Sequence, residues 1–135
     1  MENSSNHKHL EFIQAVINRM SGYLFLIRGW CVTLIAGLFA LAAKDTNKAY
    51  ILVAYLPLVP FWMLDGYYLS VERCYRALYN SVIAGEKIDP QLSMDASKYA
   101  SNKNNSWLQS VRSPTLLVFY LGLALIITLL FFVVR

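Results

Sequence analysis

Arg28 and Asp65 carry opposite charges inside long apolar stretches of the chain. Residues of that kind can form a buried ion pair, line a polar constriction or gate an ion path, because a charge in a bilayer is costly unless it is paired or wetted. Their spacing makes them candidates for one site. Arg28 lies sixteen residues before the polar turn Lys44-Asp45-Thr46-Asn47-Lys48, and Asp65 lies seventeen after it. At a helical rise of about 1.5 Å per residue, both fall about 24–26 Å from the turn, so a helical hairpin brings them to one depth. Two readings stay open. The pair fixes the register of a hairpin, or it forms a polar layer or gate.

A second set with chemical potential is basic. Arg73, Arg76, Lys87, Lys98, Lys103 and Arg112, interleaved with Tyr75, Tyr79, Tyr99 and Trp107, are candidate contacts for a nucleotide or nucleic acid, with Arg73, Arg76 and Arg112 the candidate anion contacts. The positive-inside rule and attraction to anionic lipid predict the same excess of cations, so direct nucleic-acid binding is not expected. His7 and His9 offer two imidazoles, too few for a zinc site without other ligands. Cys31 and Cys74 lie far apart along the predicted helices and read as reduced, space-filling residues. The chain has no Gly-rich phosphate loop, no nucleophile elbow, no paired acid–base carboxylates in an apolar stretch and no metal-spaced cluster. No catalytic, cofactor or metal site is therefore expected, and the protein is not read as an enzyme.

The composition says what must position these residues. Of 135 residues 57% are hydrophobic and 15% charged, a balance that fits a membrane class, and the formal net charge is +4. The expectation is an all-α membrane protein with three transmembrane helices, the first two a long antiparallel hairpin extending into the cytoplasm. Residues 1–8 are polar and expected to be disordered. From His9 onward Leu10, Ile13, Val16, Ile17, Met20 and Leu24 recur at spacings of three and four, an amphipathic helix that runs without Pro into a first span at about 23–43. Ala40-Leu41-Ala42 resembles a small-residue cleavage site, but the polar segment ahead of it is long, and the span is read as uncleaved.

The second span covers about 49–69. Pro57 and Pro60 fall near its middle, where missing backbone donors predict a kink, either static or a hinge. Tyr68, Val71, Tyr75, Leu78, Tyr79 and Val82 continue a stripe beyond it, and Ala84-Gly85 reads as the stop. About the turn, residue i meets about 93 − i, which sets Arg28 against Asp65 and Arg19 near Glu72. The hairpin thus occupies residues 9–84, and residues 85–113 form a cytoplasmic connection with short helices. One of these starts at Asp89-Pro90 and runs to about Tyr99, and Asn102 to Ser106 is read as a loop. Ser113-Pro114 starts the third span, 114–135.

Nine of the twelve Lys and Arg residues flank the spans on one side: Lys8, Arg19, Arg28, Arg73, Arg76, Lys87, Lys98, Lys103 and Arg112. By the positive-inside rule the N-terminus is cytoplasmic and the C-terminus outside. Gly29, Thr33, Ala36, Gly37 and Ala40 put small residues along one side of the first span, a helix-packing face for another span or another subunit. Because three helices bury little surface, self-association within the lipid bilayer is expected.

The stretches Arg28-Gly29-Trp30 through Ala43-Lys44-Asp45, and Phe61-Trp62-Met63-Leu64-Asp65-Gly66-Tyr67-Tyr68 through Arg76, complete a layout of cytosolic helix, tight two-span hairpin and helical continuation. Over residues 9–84 this layout resembles small bacterial multi-pass membrane effectors of antiphage systems, the SLATT modules. The third span and the lack of a recognisable sensor domain depart from it. The resemblance is architectural and carries no functional residue over. It implies membrane perturbation or ion conduction, released when a cytoplasmic protein or nucleotide signal acts on it. With the expected self-association, the reading is a homo-oligomeric inner-membrane effector that forms or gates a pore or otherwise perturbs the membrane. The alternative is a non-conducting anchor or assembly subunit for a soluble partner protein.

Overall fold

Two amphipathic runs joined by five polar residues form a long antiparallel helical hairpin in the computed structural model, which describes residues 2–45, 47–87 and 94–133. The first arm is α1 (Glu2–Asp45). It takes in residues 2–8, which the sequence reading leaves outside the helix. No Pro or Gly interrupts 2–8, so the helix of 9–24 propagates backward through it at little cost. At the turn, the Asn47 side chain accepts a hydrogen bond from the Ala49 amide at 3.0 Å and starts the return.

The second arm loosens once. A five-residue helix, α2 (Ala49–Val53), is followed after Ala54 by α3 (Tyr55–Ile83). The interruption expected near Pro57 and Pro60 thus shows only as a loosened turn at Ala54, which keeps helical dihedrals (φ −62°, ψ −21°) and still donates to the Tyr50 carbonyl. A proline ring clashes with the carbonyl four residues before it, which for Pro57 is that of Val53. Pro57 itself falls in the first turn of α3, where a missing amide costs little. Pro60 is accommodated inside the helix. The other end of α3 is closed as its sequence requires. Gly85 adopts a φ of +79°, and the Gly85 and Glu86 amides donate back to the carbonyls of Val82 and Ser81.

Beyond α3, two 3-10 turns (Ser97–Ser101 and Lys103–Asn105) lead into α4 (Trp107–Val111) and α5 (Pro114–Val133). The stretch expected as a loop at Asn102–Ser106 therefore holds a 3-10 turn, its start capped by the Asn102 side chain on the Asn104 amide. The expected helix start at Asp89-Pro90 lies outside the described residues. Asp95 accepts from Ser97, whose side chain and backbone hold its carboxyl below the ordinary range. Ser106 caps α4 by accepting from the Gln109 amide.

Burial divides the molecule into two layers. Cys31, Ile35, Ala42, Ile51, Ala54, Leu58, Leu116, Tyr120 and Ile127 form one cluster among the apolar helices. Ile13, Ile17, Cys74, Leu78 and Ala96 form the other, with Tyr75, Tyr79, Val82, Met94 and Tyr99 packed around them. The second cluster is a headpiece at the end away from the 44–48 turn. Both cysteines are free and buried, one in each layer. Among the described residues, three helices are long and apolar enough to cross a membrane: α1, the α2–α3 arm and α5. Phe25, Leu34, Leu56, Val59, Val118 and Leu125 face outward from them, a surface suited to lipid tails and costly in water. The helices thus have the length, composition and outer surface of a multi-pass membrane protein.

Candidate functional site

The hairpin register brings Arg28 of α1 to Asp65 of α3. Arg28 Nε donates to Asp65 Oδ2 at 2.8 Å and Nη2 to Oδ1 at 3.3 Å, a two-point pairing that a guanidinium plane makes with a carboxylate. Asp65 is fully buried, while the Arg28 side chain keeps 27% exposure. The third helix closes the site. The Tyr120 hydroxyl lies 3.1 Å from Asp65 Oδ2 and 3.1 Å from the Phe61 carbonyl oxygen, and its one proton serves between them. Trp62 stacks on Tyr120 with ring centroids 5.8 Å apart. The Arg28 guanidinium stands over the Phe119 ring at 5.8 Å.

One carboxylate therefore ties together all three long helices at one depth. Both its oxygens are engaged, so the side chain is held in one position, in the manner of a lock. In that surrounding a buried pair adds little net stability over an apolar substitute, but removing one partner leaves the other charge unpaired at a cost of about 3–5 kcal/mol. Tyr120 was not singled out from the sequence. The signal was there: a tyrosine hydroxyl in an uncharged apolar run must find a partner.

Next to Asp65 the backbone comes into close contact with the connection. A Cβ built on Gly66 would overlap Val111 Cγ2 and stand 3.3 Å from Val111 Cα. Two indoles fasten the same contact. Trp62 Nε1 donates to the Val111 carbonyl at 3.1 Å, and Trp107 Nε1 donates to the Met63 carbonyl at 3.2 Å. The segment that links the headpiece to α5 thus rests on α3 directly beside the ion pair.

Other expected sites divide. Arg19 does not pair with Glu72. The Glu72 carboxylate accepts instead from Arg76, one turn along α3, with Oε1 2.8 Å from Nε and 2.7 Å from Nη2, and from Ser21 Oγ at 3.4 Å. An i,i+4 partner on the same helix is already in reach, whereas Arg19 would have to cross the hairpin. Arg73 and Arg76 meet at one groove, with Asn80, Asn104, Asn105 and Gln109, and Arg112 is not part of it. Arg112 closes α4 and is exposed. Gly29, Thr33, Ala36, Gly37 and Ala40 all face outward, and a Cβ on Gly29 or Gly37 would meet nothing within 4 Å. The expected small-residue face therefore does not pack against another span of the chain. Thr33 turns its hydroxyl to the Gly29 carbonyl at 2.8 Å, which leaves the face smooth. Comparison with known protein families, characterised proteins and solved structures returns no match.

Proposed function

We propose that the chain is one subunit of a homo-oligomeric assembly in a bacterial inner membrane that forms or gates a pore, in the manner of the antiphage effectors its layout resembles. The observation that carries this reading is the smooth, outward small-residue face of α1, which begins at Gly29 beside the half-open Arg28. Small residues bury little area against lipid but let helix backbones approach closely, so such a face favours another helix over lipid. In the assembly, α1 packs through this face on a neighbouring copy. The Arg28–Asp65–Tyr120 layer lies toward the cytoplasmic mouth, and the headpiece hangs below it, where a cytoplasmic partner or signal acts. The loosened turn at Ala54, with Pro57 and Pro60 after it, gives the second span a point at which to bend.

Ion or dye leak from liposomes holding the purified protein tests this, with and without Asp65→Ala. Leak expected from the wild type, and altered by the substitution, supports a pore. No leak under any cytoplasmic extract, nucleotide or lipid composition sinks it. The second reading, a non-conducting anchor for a soluble partner, is favoured by the saturation of Asp65 on both oxygens, which suits a lock better than a gate. It expects a stoichiometric partner on pull-down and function retained when Arg28 and Asp65 are neutralised together.

A further inference from the structure

We propose that the groove between α3 and the 103–109 segment is a binding site for a phosphate group, carried by a lipid headgroup or by a soluble phosphoester. The groove is open to solvent, has a volume of about 450 Å³ and is lined by Arg73, Arg76, Asn80, Asn104, Asn105 and Gln109. None of its lining residues is acidic. Two guanidinium groups one turn apart, supplemented by side-chain amides from two walls, match an oxyanion that accepts from several directions at once.

The walls are fixed without the ligand. Ser70 Oγ donates to the Asn105 carbonyl at 2.6 Å, the Asn105 side chain donates to the Tyr99 carbonyl at 3.1 Å, and Arg73 Nη1 donates to the Asn104 carbonyl at 3.1 Å. Asn105 is more than nine-tenths buried, so its amide belongs to the wall and not to a solvated rim. Glu72 takes Nε and Nη2 of Arg76 and holds that side chain, 61% exposed as a whole, in place, leaving Nη1 for a ligand. Arg73 keeps Nε and Nη2.

Position sets the candidate sources. Arg73 and Arg76 lie eight and eleven residues beyond Asp65 along α3. That is about 12–16 Å from the ion-pair layer by helical rise, a depth that lipid headgroups and soluble ligands both reach. A ligand there contacts the segment that continues through Gln109 to Val111, and so clamps it onto Gly66. The site is independent of whether the assembly conducts, because its test reads binding and not leak.

The test uses the full-length protein in an uncharged detergent. One arm measures retention of phosphatidic acid against diacylglycerol by native mass spectrometry, and the other measures inorganic pyrophosphate by equilibrium dialysis. Binding of one phosphate compound per chain is expected in at least one arm, and the arm identifies the source. Arg73→Gln should weaken it at least tenfold, and Arg112→Gln less than twofold. Arg76→Gln strips the buried Glu72 of its cationic partner and is avoided. The pair Asn80→Ala with Gln109→Ala leaves both arginines in place and should weaken binding at least threefold, which settles the matter if Arg73→Gln does not fold. Binding in neither arm, wild-type binding by these variants, or equal loss from Arg112→Gln overturns the proposal.

Discussion

At the scale of single residues, the Asp65 carboxylate is where the chain commits most. It is fully buried, paired at two points by Arg28 and touched by Tyr120. The pairing with Arg28 was legible because a short turn fixes the depth of both residues. Tyr120 was not, because α5 reaches α3 through the long 85–113 connection, whose length sets no register. The energetics predict a specific mutational pattern. Asp65→Leu and Arg28→Leu singly should each cost about 3–5 kcal/mol, since each leaves an uncompensated charge. The double variant should recover most of that loss. Tyr120→Phe should cost only about 1 kcal/mol, in line with side-chain hydrogen bonds between membrane helices. Unfolding titrations in mixed detergent micelles measure all four, and strictly additive single losses would show that the two charges do not act as a pair.

At the scale of elements, the hairpin and its stripes could be read directly. Ile13 and Ile17 face Cys74 and Leu78 in one cluster, and Tyr23 meets Tyr68 with ring centroids 5.7 Å apart. Two periodic patterns of opposite direction had only one register that buried both. The position of the loosened turn was less legible, because a proline acts on the carbonyl four residues earlier and not at its own position. The docking of α4 was not legible at all. It depends on the absent side chain of Gly66, and a glycine in an apolar helix gives no sign of what approaches it. Gly66→Ala should therefore push Val111 off α3 and weaken the hydrogen bonds from Trp62 and Trp107 that hold the segment there. The expected readouts are a red shift of tryptophan emission and faster amide exchange over 107–111. Gly66→Ala with Val111→Ala should recover most of both, since the second substitution removes the Cγ2 that the new Cβ would strike and leaves only the 3.3 Å approach to the residue-111 Cα, which a shift of a few tenths of an ångström relieves. Failure of the double variant to restore them would place the role of Gly66 elsewhere.

At the scale of the whole molecule, three apolar helices leave most of their surface outside any contact within the chain, and that surface is not uniform. Leu, Val and Phe cover much of it, while Gly29, Thr33, Ala36, Gly37 and Ala40 line one side of α1. Sequence spacing could place these residues on one side but could not say which neighbour that side meets, because a helix periodicity carries no information on what lies opposite. Among the described residues nothing lies opposite Gly37: a Cβ there meets no atom within 4 Å beyond its own stretch of helix. A large side chain at that position is therefore tolerated by the monomer and obstructive only to a close-packed copy. Gly122 on α5 is equally open and lies on another helix, so it serves as the control. Gly37→Leu should shift the detergent-solubilised protein from oligomer toward monomer, by native mass spectrometry or light scattering, without lowering its melting temperature. Gly122→Leu should leave the oligomer unchanged. A wild type that is monomeric, or a Gly37→Leu variant that assembles as the wild type does, would show that the small-residue face meets lipid and would remove the observation on which a multi-subunit pore rests.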